Sequence, residues 1–344
     1  MTGAPELGRI AARGTPRDLG RALGEAGRAA VHAVLLHAPY WQAVTATARR
    51  AAVARMRDGL GARFPAILAE MEGLAEGLAL PFEDVLAWNC RGDLLSNAPD
   101  GCTTVLLPGP EPVIAHNEDG LPGLRGHAFL ADLAPEDAPN LIAFCYPGSI
   151  PGHTFAVTGA GLVQAVNNIR LRGVVPGVPR MALGRAALTC RDLDAVTGLL
   201  LRNNDSGGFH MSFAQAGDHR LLSVEYGGGA TSVMKIDAPS VHANHALHLP
   251  LGPEGQSVTR SSADRQARGA ALLAHGLRDP VTILRDTGGD GLPIFRTAPD
   301  DADDENTLAT ALLRVRATGV DWELRAQGSD ELAHCGTLDC QTTG

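Results

Sequence analysis

The pattern of apolar residues changes near residue 101, and this change constrains the fold more than any other feature. Before it, apolar residues recur every three or four positions, which is typical of helices. After it, short β-branched segments are separated by Pro and Gly, which is typical of strands and turns. The sequence therefore predicts a helical N-terminal segment, residues 1–101, and a strand-rich segment, residues 102–344, in one integrated fold.

Four helices are predicted before any strand. The first begins at Thr15, because its hydroxyl, the proline that follows and Asp18 together form a helix start. The four predicted helices span residues 15–37, 41–57, 65–78 and 82–95.

The remainder of the chain is predicted to alternate between strands and two helical stretches, residues 180–201 and 262–277. Strands are predicted at residues 103–107, 113–116, 141–145, 153–158, 162–166, 210–216, 221–226, 231–236 and 307–314. Paired strands with helical blocks between them indicate an α+β fold, in which helices cover antiparallel sheets.

Composition excludes several classes of protein. The 44% hydrophobic content of the 344 residues is enough for a large core, so the six scattered cysteines are expected to be reduced. A net charge of −9 without basic runs argues against a nucleic-acid partner. The first residues show no signal-peptide pattern and no apolar run is long enough for a membrane span, so we expect a cytoplasmic protein without a membrane partner.

Cys102 heads the first predicted strand, directly after Asp100 and Gly101. A thiol in this position can attack the carbonyl of the preceding residue, and hydrolysis of the resulting thioester releases a new N-terminal cysteine. The new α-amine has a reference pKa of about 7.7 to 8.0, so it can act as the general base for its own thiol. The alternative is a half-buried core cysteine.

Several motifs together resemble the penicillin acyltransferase family. The segment DGCTTVLL at 100–107 is similar to the family's cleavage site, and HNED at 116–119 is similar to its Asn-Trp-Asp segment. Further likenesses are GLVQAVNNI at 161–169, VPGVPRMALGRA at 175–186, VHANHAL at 241–247, and a Ser-x-x-Arg-x-x-Arg helix start at Ser262. They keep the family's order from Asp100 to about Arg325.

The resemblance implies the four-layer αββα sandwich of the N-terminal nucleophile (Ntn) hydrolases, with self-cleavage between Gly101 and Cys102. It assigns Cys102 as the nucleophile, Asn244 as the oxyanion donor and Asp119 as the group that orients the new amine. Further candidates for supporting the substrate or the oxyanion are Asn167, His116, Glu225 and Arg265. The implied substrate is a small amide or acyl thioester, the implied partner is the chain's own cleaved segment, and no cofactor is implied.

Each assignment has a structural alternative. Asp119 precedes Gly120 and fits a turn, Asn244 fits a strand end, and Asn168 next to Asn167 faces the other way in a strand. Where the fungal acyltransferase has an Arg before the strand at 307–314, this chain has Asp301, Asp303, Asp304 and Glu305. That reversal suggests a cationic, aminoacyl substrate; the alternative is a solvated acidic loop.

Two other functions remain open from the sequence. His242, His245 and His248 suggest a zinc hydrolase, but a strand places His245 opposite the other two, so we expect no metal site. A catalytically silent relative with the same fold is the second possibility, because one fold hosts many chemistries. Such a relative would stay as one polypeptide.

Overall fold

The computed structural model describes residues 7–95, 101–252, 254–298, 300–301 and 303–340. Asp100 of the cleavage motif and the first six residues, used above to argue against a signal peptide, lie outside the described residues.

The helices and strands agree with the predicted helical and strand-rich segments in their general order, but not in every element or boundary. The helices are α1 (Pro16–Ala33), α2 (Pro39–Thr45), α3 (Arg50–Arg63), α4 (Pro65–Leu78), α5 (Phe82–Asn89), α6 (Arg91–Leu94), α7 (Arg180–Ala187), α8 (Leu193–Arg202), α9 (Arg260–Ala274) and α10 (Pro280–Leu284). The strands are β1 (Gly8–Gly14), β2 (Gly101–Leu107), β3 (Val113–Gly120), β4 (Phe129–Pro135), β5 (Leu141–Cys145), β6 (Phe155–Thr158), β7 (Leu162–Leu171), β8 (Gly208–Gln215), β9 (Leu221–Gly227), β10 (Ala230–Lys235), β11 (Ser240–His242), β12 (Gln256–Ser257), β13 (Asn306–Val315), β14 (Gly319–Ala326) and β15 (His334–Asp339).

Two sheets face each other across the core. In the described part of the chain, nine strands form one sheet in the order β1-β4-β5-β6-β7-β8-β9-β10, with β12 beside β7. Six strands form the other in the order β11-β2-β3-β13-β14-β15. Strand β2 of the smaller sheet packs on β7 of the larger, while α8 contacts β8 and β10, and α9 and α10 contact β2. These layers confirm the predicted α+β, αββα arrangement.

Alternating side chains of β2 enter two different cores. Leu106 belongs to the core between the sheets, whereas Val105 packs with Leu273 of α9 and Ile283 of α10. Because side chains alternate along a strand, Cys102 and Thr104 share the inner face with Leu106, and Gly101 and Thr103 share the outer face with Val105.

The N-terminal segment is joined closely to the rest of the fold. Helix α1 packs closely on the second segment: a Cβ at Gly27 would come within 3.0 Å of Cα of Pro147. The carboxylate of buried Glu70 accepts hydrogen bonds of 3.0 and 2.9 Å from Nε of Arg185 in α7. The two segments therefore share one body.

The prediction that four helices precede any strand is wrong. Strand β1 comes first and pairs in parallel with β4. Its side chains are mostly exposed or half-buried, so this edge strand is held by backbone hydrogen bonds and leaves little apolar pattern in the sequence. The capping box at Thr15 and Asp18 is confirmed, but α1 ends at Ala33, short of residue 37.

The predicted single helix at 41–57 is also wrong, since Ala46 has extended backbone angles and separates α2 from α3. Strands β4, β11, β12, β14 and β15 were not predicted either. Among the described residues, no helix combines the length and the apolar character needed to cross a membrane. The cytoplasmic location stays a prediction.

Candidate functional site

Cys102 is the second residue of β2 and pairs in register with Glu118 of β3. Two positions further along the ladder, Thr104 pairs with His116. We call these four residues the thiol face, because paired residues and their second neighbours project to the same side of a sheet. All four are buried between the two sheets.

The thiol face is a set of short polar contacts. The Cys102 Sγ atom lies 3.6 Å from Oε2 of Glu118, and the same oxygen lies 2.9 Å from Nε2 of His116. The Tyr146 hydroxyl donates a 2.8 Å hydrogen bond to Oε1 of Glu118. Burial lowers the pKa of His116 to about 3, so its imidazole is neutral near pH 7.

The contacts continue from the thiol face into the larger sheet. Nδ1 of His116 lies 2.8 Å from Oγ1 of Thr104, whose hydroxyl donates a 2.7 Å hydrogen bond to Oδ1 of Asn167 on β7. The same Asn167 oxygen lies 3.0 Å from Nδ1 of His210 on β8. Asn167, which the sequence offered only as a supporting candidate, thus contacts the thiol face through Thr104.

Asn244 and Arg265 hold the backbone of Cys102. The Cys102 N–H donates a 2.9 Å hydrogen bond to Oδ1 of Asn244, and the Cys102 carbonyl accepts one of 2.5 Å from Arg265. A second nitrogen of Arg265 donates to the same Asn244 oxygen at 2.7 Å. Nδ2 of Asn244 is buried without a hydrogen-bond partner among the described residues.

The opposite side of the β2–β3 pair is charged. Gly101 pairs with Asp119, and a Cβ at Gly101 would lie 2.5 Å from Oε2 of Glu305. We call Gly101, Asp119, Arg265 and Glu305 the charged face. Neither Asp119 oxygen has a hydrogen-bond partner of normal geometry among the described residues, although the Thr307 hydroxyl lies near enough to lower the pKa of that carboxyl. Burial raises the pKa of Asp119, an effect that the nearby Arg265 opposes.

The acidic segment before β13 is neither free nor fully solvated. Glu305 lies 2.8 Å from one nitrogen of buried Arg296 and 3.2 Å from Arg170. Asp301 forms an ion pair with Arg296 as well. These arginines offset the negative charge of the acidic segment, which was the reason to suggest a cationic substrate. Burial still raises the pKa of Glu305.

The three histidines considered for zinc have separate partners. Nε2 of His242 lies 2.8 Å from Glu225, Nδ1 of His245 lies 2.7 Å from the Ser262 hydroxyl, and His248 contacts serine hydroxyls. Glu225 accepts the His242 bond and backbone hydrogen bonds from residues 247–249, so it holds this loop.

Among the described residues, one group has the spacing of a metal-ligand set. The ligand atoms of Cys102, His116 and Glu118 lie within 4.8 Å of one another. The hydrogen bonds between them account for that spacing, so we interpret the group as a proton-sharing cluster and assign no metal to it.

Sequence reasoning missed Glu118, the side chain that contacts the thiol. The motif likeness drew attention to Asp119, which stands where the family has Asp, whereas Glu118 stands where the family has Trp. Counting the register back from the hairpin between residues 107 and 113 pairs 102 with 118, and this count was available from the sequence. The partners Arg296 and His210 carry no comparable local signal.

The family model described as acyl-coenzyme A:6-aminopenicillanic acid acyl-transferase matches residues 107–328, more than half of the chain. The chain belongs to this family. The matched segment begins after Cys102, so the case for this nucleophile depends on the site itself. No curated protein matches the sequence.

Solved structures also match this family member. One is a mutant of the conjugated bile acid hydrolase from Clostridium perfringens. It is 12% identical, with 69% of this chain and 92% of that chain covered and a TM-score of 0.44.

Proposed function

We propose that the chain is an autoproteolytic amidohydrolase or acyltransferase with Cys102 as its N-terminal nucleophile. Its substrate would be a small N-acyl amide or an acyl thioester. The acyl group would pass to the Cys102 sulfur and then to water or to an amine. Family membership supports the acyl-transfer class, and the contacts around Cys102 support the mechanism.

Self-cleavage would begin with attack of Sγ on the Gly101 carbonyl carbon. The carbon–nitrogen bond to Cys102 breaks, and the acyl group moves from nitrogen to sulfur. Water then hydrolyses the thioester, which releases the Gly101 carboxylate and restores the thiol. The new α-amine, with a reference pKa of about 7.7 to 8.0, would then serve as general base for substrate cleavage.

Asn244 carries this proposal. Its Oδ1 already holds the nitrogen that cleavage turns into the α-amine, while its Nδ2 has no partner among the described residues. A buried amide donor without a partner is costly, and it becomes satisfied when an oxyanion forms. Asp119 is the matching acceptor, because its carboxylate has no hydrogen bond there and lies on the strand position paired with Gly101.

The cleaved segments would stay together as a heterodimer. Strand β1 pairs with β4, Gly27 of α1 packs against Pro147, and Glu70 pairs with Arg185 across the two segments. Loss of the N-terminal segment would expose the apolar core beneath it. The pairing of the acidic segment with Arg296 removes the support for a specifically cationic substrate, so the acyl group is left general.

Intact mass spectrometry of the wild type beside Cys102→Ala tests the proposal. We expect two fragments in the wild type, ending at Gly101 and starting at Cys102, and one full-length chain in the variant. Cleaved protein is then screened for release of amines from N-acyl amides. A wild type that stays intact with a free Cys102 thiol after long incubation would favour the catalytically silent relative.

A further inference from the structure

The orientation of the Asn167 amide fixes where protons lie on the thiol face. Its Nδ2 donates a 3.2 Å hydrogen bond to the backbone carbonyl of His242, which can only accept. Oδ1 therefore faces Thr104 and His210 and accepts from both. A flipped amide would place two oxygens against each other at His242.

This orientation determines the tautomer of His116. The Thr104 hydroxyl has one proton, and it is committed to Asn167. At 2.8 Å from the same hydroxyl, Nδ1 of His116 must therefore be the donor. Since burial keeps His116 neutral, its Nε2 is an acceptor, and Glu118 Oε2 at 2.9 Å must supply the proton between them.

We propose that Glu118 is a protonated carboxylic acid in the uncleaved chain and relays the thiol proton of Cys102 during self-cleavage, with His116 as the transient proton store. This inference rests on the proposed self-cleavage. Glu118 is a catalytic residue in it because its carboxyl touches the reacting sulfur, whereas His116 acts through Glu118 and is a positioning residue.

Each step of the relay balances. As Sγ bonds to the Gly101 carbonyl carbon, its proton passes to Oε2 of Glu118, and the proton already on Oε2 passes to Nε2 of His116. The carbonyl oxygen becomes an oxyanion and His116 an imidazolium. When the carbon–nitrogen bond breaks, His116 returns its proton to Glu118, and Glu118 gives one to the Cys102 nitrogen.

The uncleaved chain needs such a relay. Before cleavage, the Cys102 nitrogen is part of a peptide bond and cannot act as a base, so the α-amine mechanism is not yet available. The lowered pKa of His116 makes its imidazolium a strong acid, which favours prompt return of the proton to the departing nitrogen. Cys102, His116 and Tyr146 are titratable groups that contact the Glu118 carboxyl.

The kinetic test is a pulse-chase of the full chain in cell-free synthesis, with full-length and cleaved products followed over time between pH 5.5 and 8.5. We expect Glu118→Gln, which is nearly isosteric, to cleave at least about 100-fold more slowly than the wild type. The residual rate should rise with hydroxide concentration, because hydroxide replaces the relay.

Glu70→Gln is the matched control, since it makes the same change in another buried glutamate, whose carboxylate pairs with Arg185 of α7. It should cleave at the wild-type rate, even if it melts at a lower temperature. Glu118→Gln cleaving within about threefold of the wild type would overturn the relay alone. Equal slowing in both variants would overturn it too, because the defect would then be one of folding. An intact wild type overturns relay and proposed function together.

Infrared spectroscopy tests the proton itself. The full-length Cys102→Ala chain should show the carbonyl stretch of a protonated carboxylic acid that disappears in Cys102→Ala/Glu118→Gln. A difference spectrum that shows only the loss of carboxylate bands would mean that Glu118 is ionised, and the relay would be wrong as stated. Melting curves of the two chains verify that both are folded.

Discussion

The thiol face and the charged face of the β2–β3 pair bury polar side chains in opposite ways. On the thiol face, Glu118 and His116 satisfy each other and Thr104 through hydrogen bonds between neutral groups. On the charged face, Asp119 and Glu305 lie close to guanidinium groups, and Asp119 has no hydrogen-bond partner among the described residues. The same two strands therefore carry a proton-sharing network on one side and a charge cluster on the other.

The contrast separates two tasks. Proton transfer between sulfur and nitrogen requires groups that exchange a proton without leaving a lasting charge, and a satisfied neutral network allows this. Holding a new ammonium and an oxyanion requires a fixed acceptor and fixed donors, which cost stability until they are used. Asn244 contacts both sides, since it binds the Cys102 N–H and Arg265.

Arg265→Met gives the largest expected effect, and it tests the charged face. Arg265 is 1% exposed and contacts Cys102, Thr103, Ser261 and Asn244. Its loss removes the stronger of the two cationic influences on the buried Asp119 carboxyl, with Arg296 remaining, and leaves the Cys102 carbonyl without its guanidinium donor. The free energy of unfolding should therefore fall by about 3 to 5 kcal/mol. Urea unfolding of the uncleaved Cys102→Ala chain measures this.

Arg63→Met is the control for that measurement. Arg63 forms an ion pair with Asp205, but both side chains are partly exposed, at 32% and 46%. Its loss should cost less than about 1 kcal/mol. If the two substitutions lower the free energy of unfolding equally, the charged face would stabilise the fold no more than a surface ion pair does.

Asn244→Asp tests the unpaired Nδ2 atom of Asn244, the residue that contacts both Cys102 and Arg265. The new carboxylate can still accept from the Cys102 N–H and from Arg265, but it lacks the Nδ2 donor. Self-cleavage should slow by roughly 100- to 1000-fold, the loss expected for one oxyanion donor, about 2.7 to 4 kcal/mol. Pulse-chase of the full chain measures the rate, and Asn204→Asp, away from Cys102, should leave it unchanged. Wild-type cleavage in Asn244→Asp would show that Nδ2 is not the donor.

Much of the fold was predictable from the sequence, because its central strands carry clear apolar patterns. Strand β5 was predicted at its exact bounds, and β7, β8 and β9 were found. The edge strand β10 was predicted, but the edge strands β1, β11 and β15 were not. An edge strand such as β1 is held by backbone hydrogen bonds and needs few apolar side chains. The family resemblance was confirmed by the family model.

The candidate site was predictable only where motifs carried it. The motifs named Cys102, Asn244 and Asp119, and Arg265 followed from the helix start near Ser262. Glu118 required the hairpin register. The Arg296 pairing required tertiary structure, because Arg296 binds Glu305, whose carboxylate lies against Gly101 on the outer side of β2. A sequence pattern records neither the tautomer of His116 nor the unpaired amide of Asn244.

The last test concerns the buried charge of Glu225, which is connected to the thiol face through other polar residues. Glu225 lies on β9 and contacts His242. The His242 ring stacks on the His210 ring with their centroids 3.5 Å apart, and His210 contacts Asn167. Burial alone would raise its pKa, but hydrogen bonds from His242 and from the Leu247 N–H outweigh burial and lower the pKa from 4.5 to about 2. Ionised Glu225 therefore stabilises the folded state.

Because the folded pKa lies below the unfolded one, that stability is complete above about pH 5 and is lost as the pH falls toward 2. The difference corresponds to about 3 kcal/mol. Urea unfolding of Cys102→Ala and Cys102→Ala/Glu225→Gln at pH 5 and pH 2.5 should show a steeper loss in the first chain, since other acids titrate equally in both. Equal losses would mean that the stability of the fold does not depend on the charge of this carboxylate. The residues that connect Glu225 to Asn167 would then be held by neutral hydrogen bonds, as the thiol face is.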